Sequence, residues 1–209
     1  MKILFQGDSV TDAFRKPEEI NPAFQVGNGY AFLVAARLGH DYPERGFHFI
    51  NRGVSGERVE DILKRWEKDA LDHEPCVLSL LAGVNNTIQA MWGAKVTTDE
   101  VFLNDYETML VRMRECRPDV KFIILEPFLL EADKVTAEWK KHLAPRQKGI
   151  AALARKHASL FIPLQSIFDE AIKRAPAAYW AYDGIHPTHA GFQLIADVWI
   201  KEARPLLKL

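Results

Sequence analysis

Short apolar runs alternate with longer amphipathic stretches along this chain. Residues 2–6, 47–51, 76–81, 121–125 and 160–163 are short, apolar and bounded by Gly, Pro or polar residues, a pattern that predicts strands. The segments between them carry apolar residues at helical spacing instead. Residues 30–38 hold one such stripe, expected to stop at Gly39. Val59, Ile62, Leu63 and Trp66 form another within residues 57–72, with Ser55 as the expected cap. Residues 103–116 and 142–156 behave alike, and residues 190–203 repeat the stripe at Phe192, Ile195, Ala196 and Trp199. Strand-helix alternation of this kind predicts one α/β domain over residues 1–209, with a parallel sheet covered by helices on both faces. The continuous apolar runs ILF, VLSLL and FIIL suit strands buried on both sides.

Composition mainly removes alternatives. A chain that is 48% hydrophobic and 26% charged is an ordinary globular domain. Its 27 basic and 28 acidic residues are interspersed, so no nucleic-acid partner is expected. Cys76 and Cys116 sit in apolar contexts and read as packing residues, not a disulfide or metal clip. No segment approaches the roughly 20 apolar residues of a membrane span. The N-terminal apolar run is too short for a signal-peptide core, so a cytoplasmic protein is expected.

In a parallel sheet of this kind, ligands bind beyond the carboxyl ends of the strands. Gly7-Asp8-Ser9 follows the first expected strand, Gly53-Val54-Ser55-Gly56 comes just past the second, and Gly83-Val84-Asn85-Asn86 follows the third. Asp183-Gly184-Ile185-His186 precedes the last helix. One sheet edge would therefore gather the parts for acyl transfer. A serine hydroxyl needs an adjacent base to act as a nucleophile at neutral pH. His186 can serve Ser9 as that base, and Asp183 can fix the imidazole tautomer. The Ser9 and Gly53 N–H groups, with the Asn85 amide, would then stabilise a tetrahedral oxyanion.

Each residue also has a plainer reading. Ser9 suits a helix cap, Gly53 a tight turn, and Asn85-Asn86 an ordinary loop. Asp8 reads as a turn residue and Asp12 as a solvated one. His189 rivals His186 as base but has no carboxylate at a matching offset. Read together as a metal pair, the two histidines lack a third ligand at recognisable spacing. The joint placement of Ser9, Gly53, Asn85, Asp183 and His186 at one edge favours catalysis.

GDSVT at residues 7–11, NRGVSGE around Gly53, GVNN at 83–86 and DGIH at 183–186 together resemble the SGNH hydrolases, the GDSL esterase/lipase family. The resemblance implies a three-layer α/β/α sandwich with a central five-stranded, flavodoxin-like parallel sheet. It implies a serine esterase mechanism with no metal and no cofactor. Asn86 departs from the family's usual Asp, which puts the loop's supporting hydrogen bonds in question more than the chemistry.

Within the family the chain is similar to small bacterial intracellular acetylxylan esterases, on the stretches at residues 126–128, 142–147 and 161–165. That similarity implies a small ester substrate, an acetylated xylo-oligosaccharide, and a homo-oligomer. Tyr179, Trp180 and Tyr182 run up to Asp183, and Trp92 and Trp139 lie beyond the third and fourth strands. Trp92, Trp180 and Tyr182 are the expected substrate contacts, although core packing explains aromatic residues as well. A general short-chain carboxylesterase, thioesterase or lysophospholipase is the alternative. A non-catalytic carbohydrate-binding relative is a third reading, and it would have no need of the Ser9, Asp183 and His186 set.

Overall fold

The computed structural model describes residues 1–94 and 96–209. Its strands are β1 (Lys2–Gly7), β2 (His48–Asn51), β3 (Val77–Leu81), β4 (Lys121–Leu125) and β5 (Leu160–Ile162). All pair in parallel, in the order β2-β1-β3-β4-β5. The chain reverses its direction of sheet growth between β1 and β3. At such a switch point the following loops diverge and leave a crevice for a ligand.

The helices are α1 (Ser9–Asp12), α2 (Pro22–Gln25), α3 (Tyr30–Asp41), α4 (Val59–Lys64), α5 (Trp66–Asp69), α6 (Val84–Met91), α7 (Asp99–Cys116), α8 (Ala137–Lys156), α9 (Leu164–Ala171), α10 (Ala177–Trp180) and α11 (His189–Leu207). Strand residues divide between two cores by their alternation. Ile3, Phe5, Val77 and Ile123 face α3, α9 and α11. Leu4, Leu78, Leu80 and Phe122 face α4, α5, α7 and α8. The result is the expected three-layer sandwich. Trp199 anchors the first core: it is fully buried, its ring lies 5.7 Å from that of Phe5, and its Nε1–H donates to Ser79 Oγ at 2.9 Å. Truncating an aromatic side chain at such a site costs about 3–5 kcal/mol.

Several element boundaries differ from the periodicity reading. Gly39 does not end α3, which runs on to Asp41 because Tyr42 N–H still reaches Leu38 O. Residues 57–72 are broken into α4, α5 and a 3₁₀ turn rather than one helix. Ser55 caps nothing: the N-cap of α4 is Arg58, and Ser55 donates instead to Asp12 Oδ2. The Asn85 loop is the first turn of α6, a helix the strand-end reading did not anticipate. Cys76 is half-buried and packs against the first core as expected, whereas Cys116 is exposed at the end of α7 and is not a packing residue. Among the described residues, no helix is long and apolar enough to cross a membrane.

Candidate active site

β1 ends where Gly7 packs against β3: a Cβ there would lie 2.1 Å from Leu81 O and 2.5 Å from Thr11 Oγ1. The chain must therefore turn sharply, and it does so through Asp8. The buried Asp8 carboxylate accepts the Val10 N–H at 3.1 Å and caps α1. Burial pushes the Asp8 carboxyl up to about 7, against the Val10 hydrogen bond and the charge of His186. Ser9 is the first residue of α1, and its hydroxyl emerges at the edge of the sheet.

Ser9 Oγ lies 2.9 Å from His186 Nε2. His186 Nδ1 lies 2.7 Å from Asp183 Oδ2. The second oxygen of Asp183 accepts the N–H groups of Ile185 (2.9 Å) and His186 (2.7 Å). Burial of Asp183 opposes its charge, but these bonds from His186 and Ile185 outweigh it and hold the carboxyl below the ordinary range. Gly184 makes the turn possible, with φ of +83° and Leu130 O only 2.3 Å from where a Cβ would stand. The Tyr182 ring stacks on the imidazole, centroids 6.0 Å apart and 20° between planes. Such an arrangement can move a proton from Ser9 to His186 while Asp183 stabilises the imidazolium.

The side expected to face an oxyanion is assembled differently. The N–H groups of Ser9 and Gly56 find no acceptor among the described residues, and both residues line the cleft. Asn85 spends one amide hydrogen on Glu57 O at 3.0 Å, which leaves the other available. Gly53 does not belong to this group. Its N–H is committed to Asn51 Oδ1 at 2.9 Å, and a Cβ there would meet Asp12 N at 2.4 Å. Gly53 lets the segment after β2 lie against α1, and Gly56, three residues on, faces the cleft in its place. Nothing in the spacing of NRGVSGE separated the two glycines. Asn51 is a second residue missed: its Nδ2 donates to Thr11 O and Val26 O, at 2.6 and 2.8 Å. Asp12 is not solvated, since Ser55 N–H and Oγ–H both donate to it.

Asn86 answers the question raised by its sequence. Its Oδ1 accepts the Val59 N–H at 3.1 Å, and its Nδ2 donates to Glu60 Oε2 at 2.7 Å. The loop keeps its acceptor, and the carboxylate stands on α4 instead. Burial works against the Glu60 charge, but bonds from Thr97 and Asn86 and the nearby Arg58 hold its carboxyl below the ordinary range.

The cleft over Ser9 has a volume of about 540 Å³. Trp92 and Tyr182 line it, as do Trp139, Phe14, Ile88 and Phe192. Trp180 does not: it is 7% exposed in the core beside α11, with Nε1–H donating to Ala175 O. The apolar environment that made Trp180 look like a substrate contact is the core itself. His189 is exposed and has no part in the Ser9–His186–Asp183 chain. Ala13 and Phe14 have left-handed backbone at φ 42° and 60°, a conformation that costs an ordinary residue roughly 1–2 kcal/mol. Among the described residues no three His, Cys, Asp or Glu side chains converge as a metal cage would require.

Comparison with known proteins adds four findings. Residues 5–194 match the GDSL-like Lipase/Acylhydrolase family. An acetylxylan esterase of Geobacillus stearothermophilus is 32% identical over 204 residues, covering 96% of this chain and 93% of that protein. Among solved structures, a GDSL-like lipase candidate from Parabacteroides merdae superposes with a TM-score of 0.92 at 35% identity, covering 96% of this chain and 94% of that one. The crystal structure of an acetylxylan esterase from Geobacillus stearothermophilus gives 0.87 at 27% identity, covering 96% and 93%.

Proposed function

The chain belongs to the GDSL-like lipase/acylhydrolase family and is a carboxylic ester hydrolase, and from that premise we propose that it removes acetyl groups from acetylated carbohydrates through an acetyl-Ser9 intermediate. The observation that carries this reading is the hydrogen-bonded chain from Ser9 Oγ through His186 to Asp183, at 2.9 and 2.7 Å, in the floor of an aromatic cleft. Ser9 Oγ attacks the ester carbonyl carbon while His186 Nε2 takes its proton. The charge that develops on the carbonyl oxygen meets the N–H groups of Ser9 and Gly56 and the free amide hydrogen of Asn85. Collapse breaks the C–O bond to the alcohol, which leaves with the proton held by His186. Water then attacks the acetyl-enzyme with His186 as base, and acetate departs from Ser9.

The carbohydrate assignment is supported by the similarity to an acetylxylan esterase and by the exposed rings of Trp92 and Tyr182 at the cleft mouth. Aromatic faces of this kind suit the apolar side of a sugar ring. The apolar lining suits a simple short-chain ester equally, which makes a general short-chain carboxylesterase the second reading. Acetate release from acetylated xylo-oligosaccharides, measured for wild type beside Ser9→Ala, separates them. Release that vanishes in Ser9→Ala supports both the nucleophile and the carbohydrate. No release from the oligosaccharide, with Ser9-dependent cleavage of an aryl acetate, keeps the nucleophile and moves the substrate to another short-chain ester.

A further inference from the structure

Phe14 is out of place as a folding residue. It is 86% exposed, and its φ of 60° is a conformation that suits glycine rather than a bulky side chain. It gains no core burial in return. The backbone around it is nevertheless fixed from several directions. Ala13 N–H donates to Ser9 O at 3.0 Å, and Ala13 O accepts the Asn28 N–H at 2.8 Å. Arg15 N–H donates to Asp12 O at 2.9 Å, and Arg15 Nε–H to Gly53 O at 2.5 Å. A strained residue that the surroundings hold in place, and that contributes little to packing, points to a use outside folding. That use lies in the cleft, which Phe14 lines only five positions after Ser9.

We propose that Phe14 is a specificity-determining residue, whose ring stacks on the alcohol part of the ester and selects esters of ring-bearing alcohols over small ones. Phe14 is 86% exposed whereas Ser9 is half-buried, so the alcohol, the part of an acetyl ester that projects outward from Ser9, is what the ring would meet. Phe192 continues the same wall, since both it and Ala13 crowd the space beside Gly29. Trp92 and Trp139, in edge contact at 6.2 Å, supply a second aromatic pair to the cleft. The proposal rests on the acetyl-Ser9 reading and adds to it a residue that reads the leaving group.

The test compares kcat/KM for acetylated methyl β-xyloside with that for ethyl acetate, in wild type, Phe14→Gly and Phe14→Tyr. The wild-type ratio should fall about fivefold to tenfold in Phe14→Gly, mainly through KM for the xyloside, as loss of one aromatic contact implies. Phe14→Tyr should restore it. Phe14→Gly should also melt roughly 2–4 °C higher, because glycine relieves the left-handed strain. A higher melting temperature with worse discrimination is the signature of a residue kept for its substrate. An unchanged ratio in Phe14→Gly, with Ser9-dependent turnover of ethyl acetate intact in the wild type, overturns the role of Phe14 alone. Absence of Ser9-dependent turnover on both esters in the wild type overturns the acetyl-Ser9 reading and the role of Phe14 with it.

Discussion

The two sides of the cleft are built on different principles. The turn that carries His186, the proposed base, is held locally: Asp183 accepts three hydrogen bonds, from Ile185 N–H, His186 N–H and the His186 ring, all within four residues of chain. The side proposed to hold the oxyanion is distributed. Asn85 on α6 is held by Glu57, Asn86 by Val59 and Glu60, and Ser55 by Asp12. Those contacts join segments 26 to 43 residues apart. A local turn forms its geometry as soon as it folds. A distributed site exists only when the sheet has brought its segments together. Damage to the first should therefore cost chemistry and little stability, and damage to the second should cost both.

The largest effect is expected on the local side. Asp183→Asn retains a side chain able to accept the Ile185 and His186 N–H bonds but can no longer stabilise the imidazolium. It should lower kcat by about 10⁴-fold, with circular dichroism and melting temperature close to wild type. Loss of secondary structure in that variant would break the contrast. On the distributed side, Asn85→Ala removes one proposed oxyanion donor and one tie to Glu57. It should lower kcat by about 10²–10³-fold with a smaller change in KM, and it should lower the melting temperature as Asp183→Asn does not.

Asn86→Asp sharpens the contrast further. It sets a carboxylate against Glu60, where an amide hydrogen now bridges 2.7 Å. Chemical denaturation should show a loss of about 1–3 kcal/mol, and adding Glu60→Gln should recover much of it. A loss in the double variant equal to the sum of the losses in Asn86→Asp and Glu60→Gln alone would mean the two side chains are not coupled. A separate, pH-dependent effect concerns Asp8, whose carboxyl stands at 3.8 in the unfolded chain and at about 7 in the fold. Between those values the folded state holds a proton that the unfolded chain has released, so this group makes stability fall as pH rises. Its slope is at most about 1.4 kcal/mol per pH unit. Asp8→Asn should remove that slope in melts from pH 4 to 7, and an unchanged slope would show that Asp8 is ionised in the fold.

The same contrast explains what was legible in the sequence. DGIH is read from spacing because the partners of the Asp183 carboxylate lie inside the motif. The strands were legible because two-sided burial demands unbroken apolar runs, as in VLSLL, where every residue of β3 is buried. NRGVSGE was misread because two glycines share it, and only the approach of α1 assigns Gly53 to packing and Gly56 to the cleft. Asp12 looked solvated because its partner Ser55 lies 43 residues away. Trp180 looked like a substrate contact because an apolar aromatic beside a catalytic motif reads the same whether it faces a ligand or the core. Phe14 carried no signal of its own, since a left-handed backbone is invisible where the residue is not glycine or asparagine.

The central claim is that Ser9 is acylated with His186 as its base. The most direct measurement is fluorophosphonate labelling of wild type and His186→Ala, with the adduct located by peptide mass spectrometry. A single adduct on Ser9 in the wild type, formed at least a hundredfold more slowly in His186→Ala, is the expected result. Continued ester hydrolysis with no adduct on Ser9, or an adduct on another residue, would contradict the account.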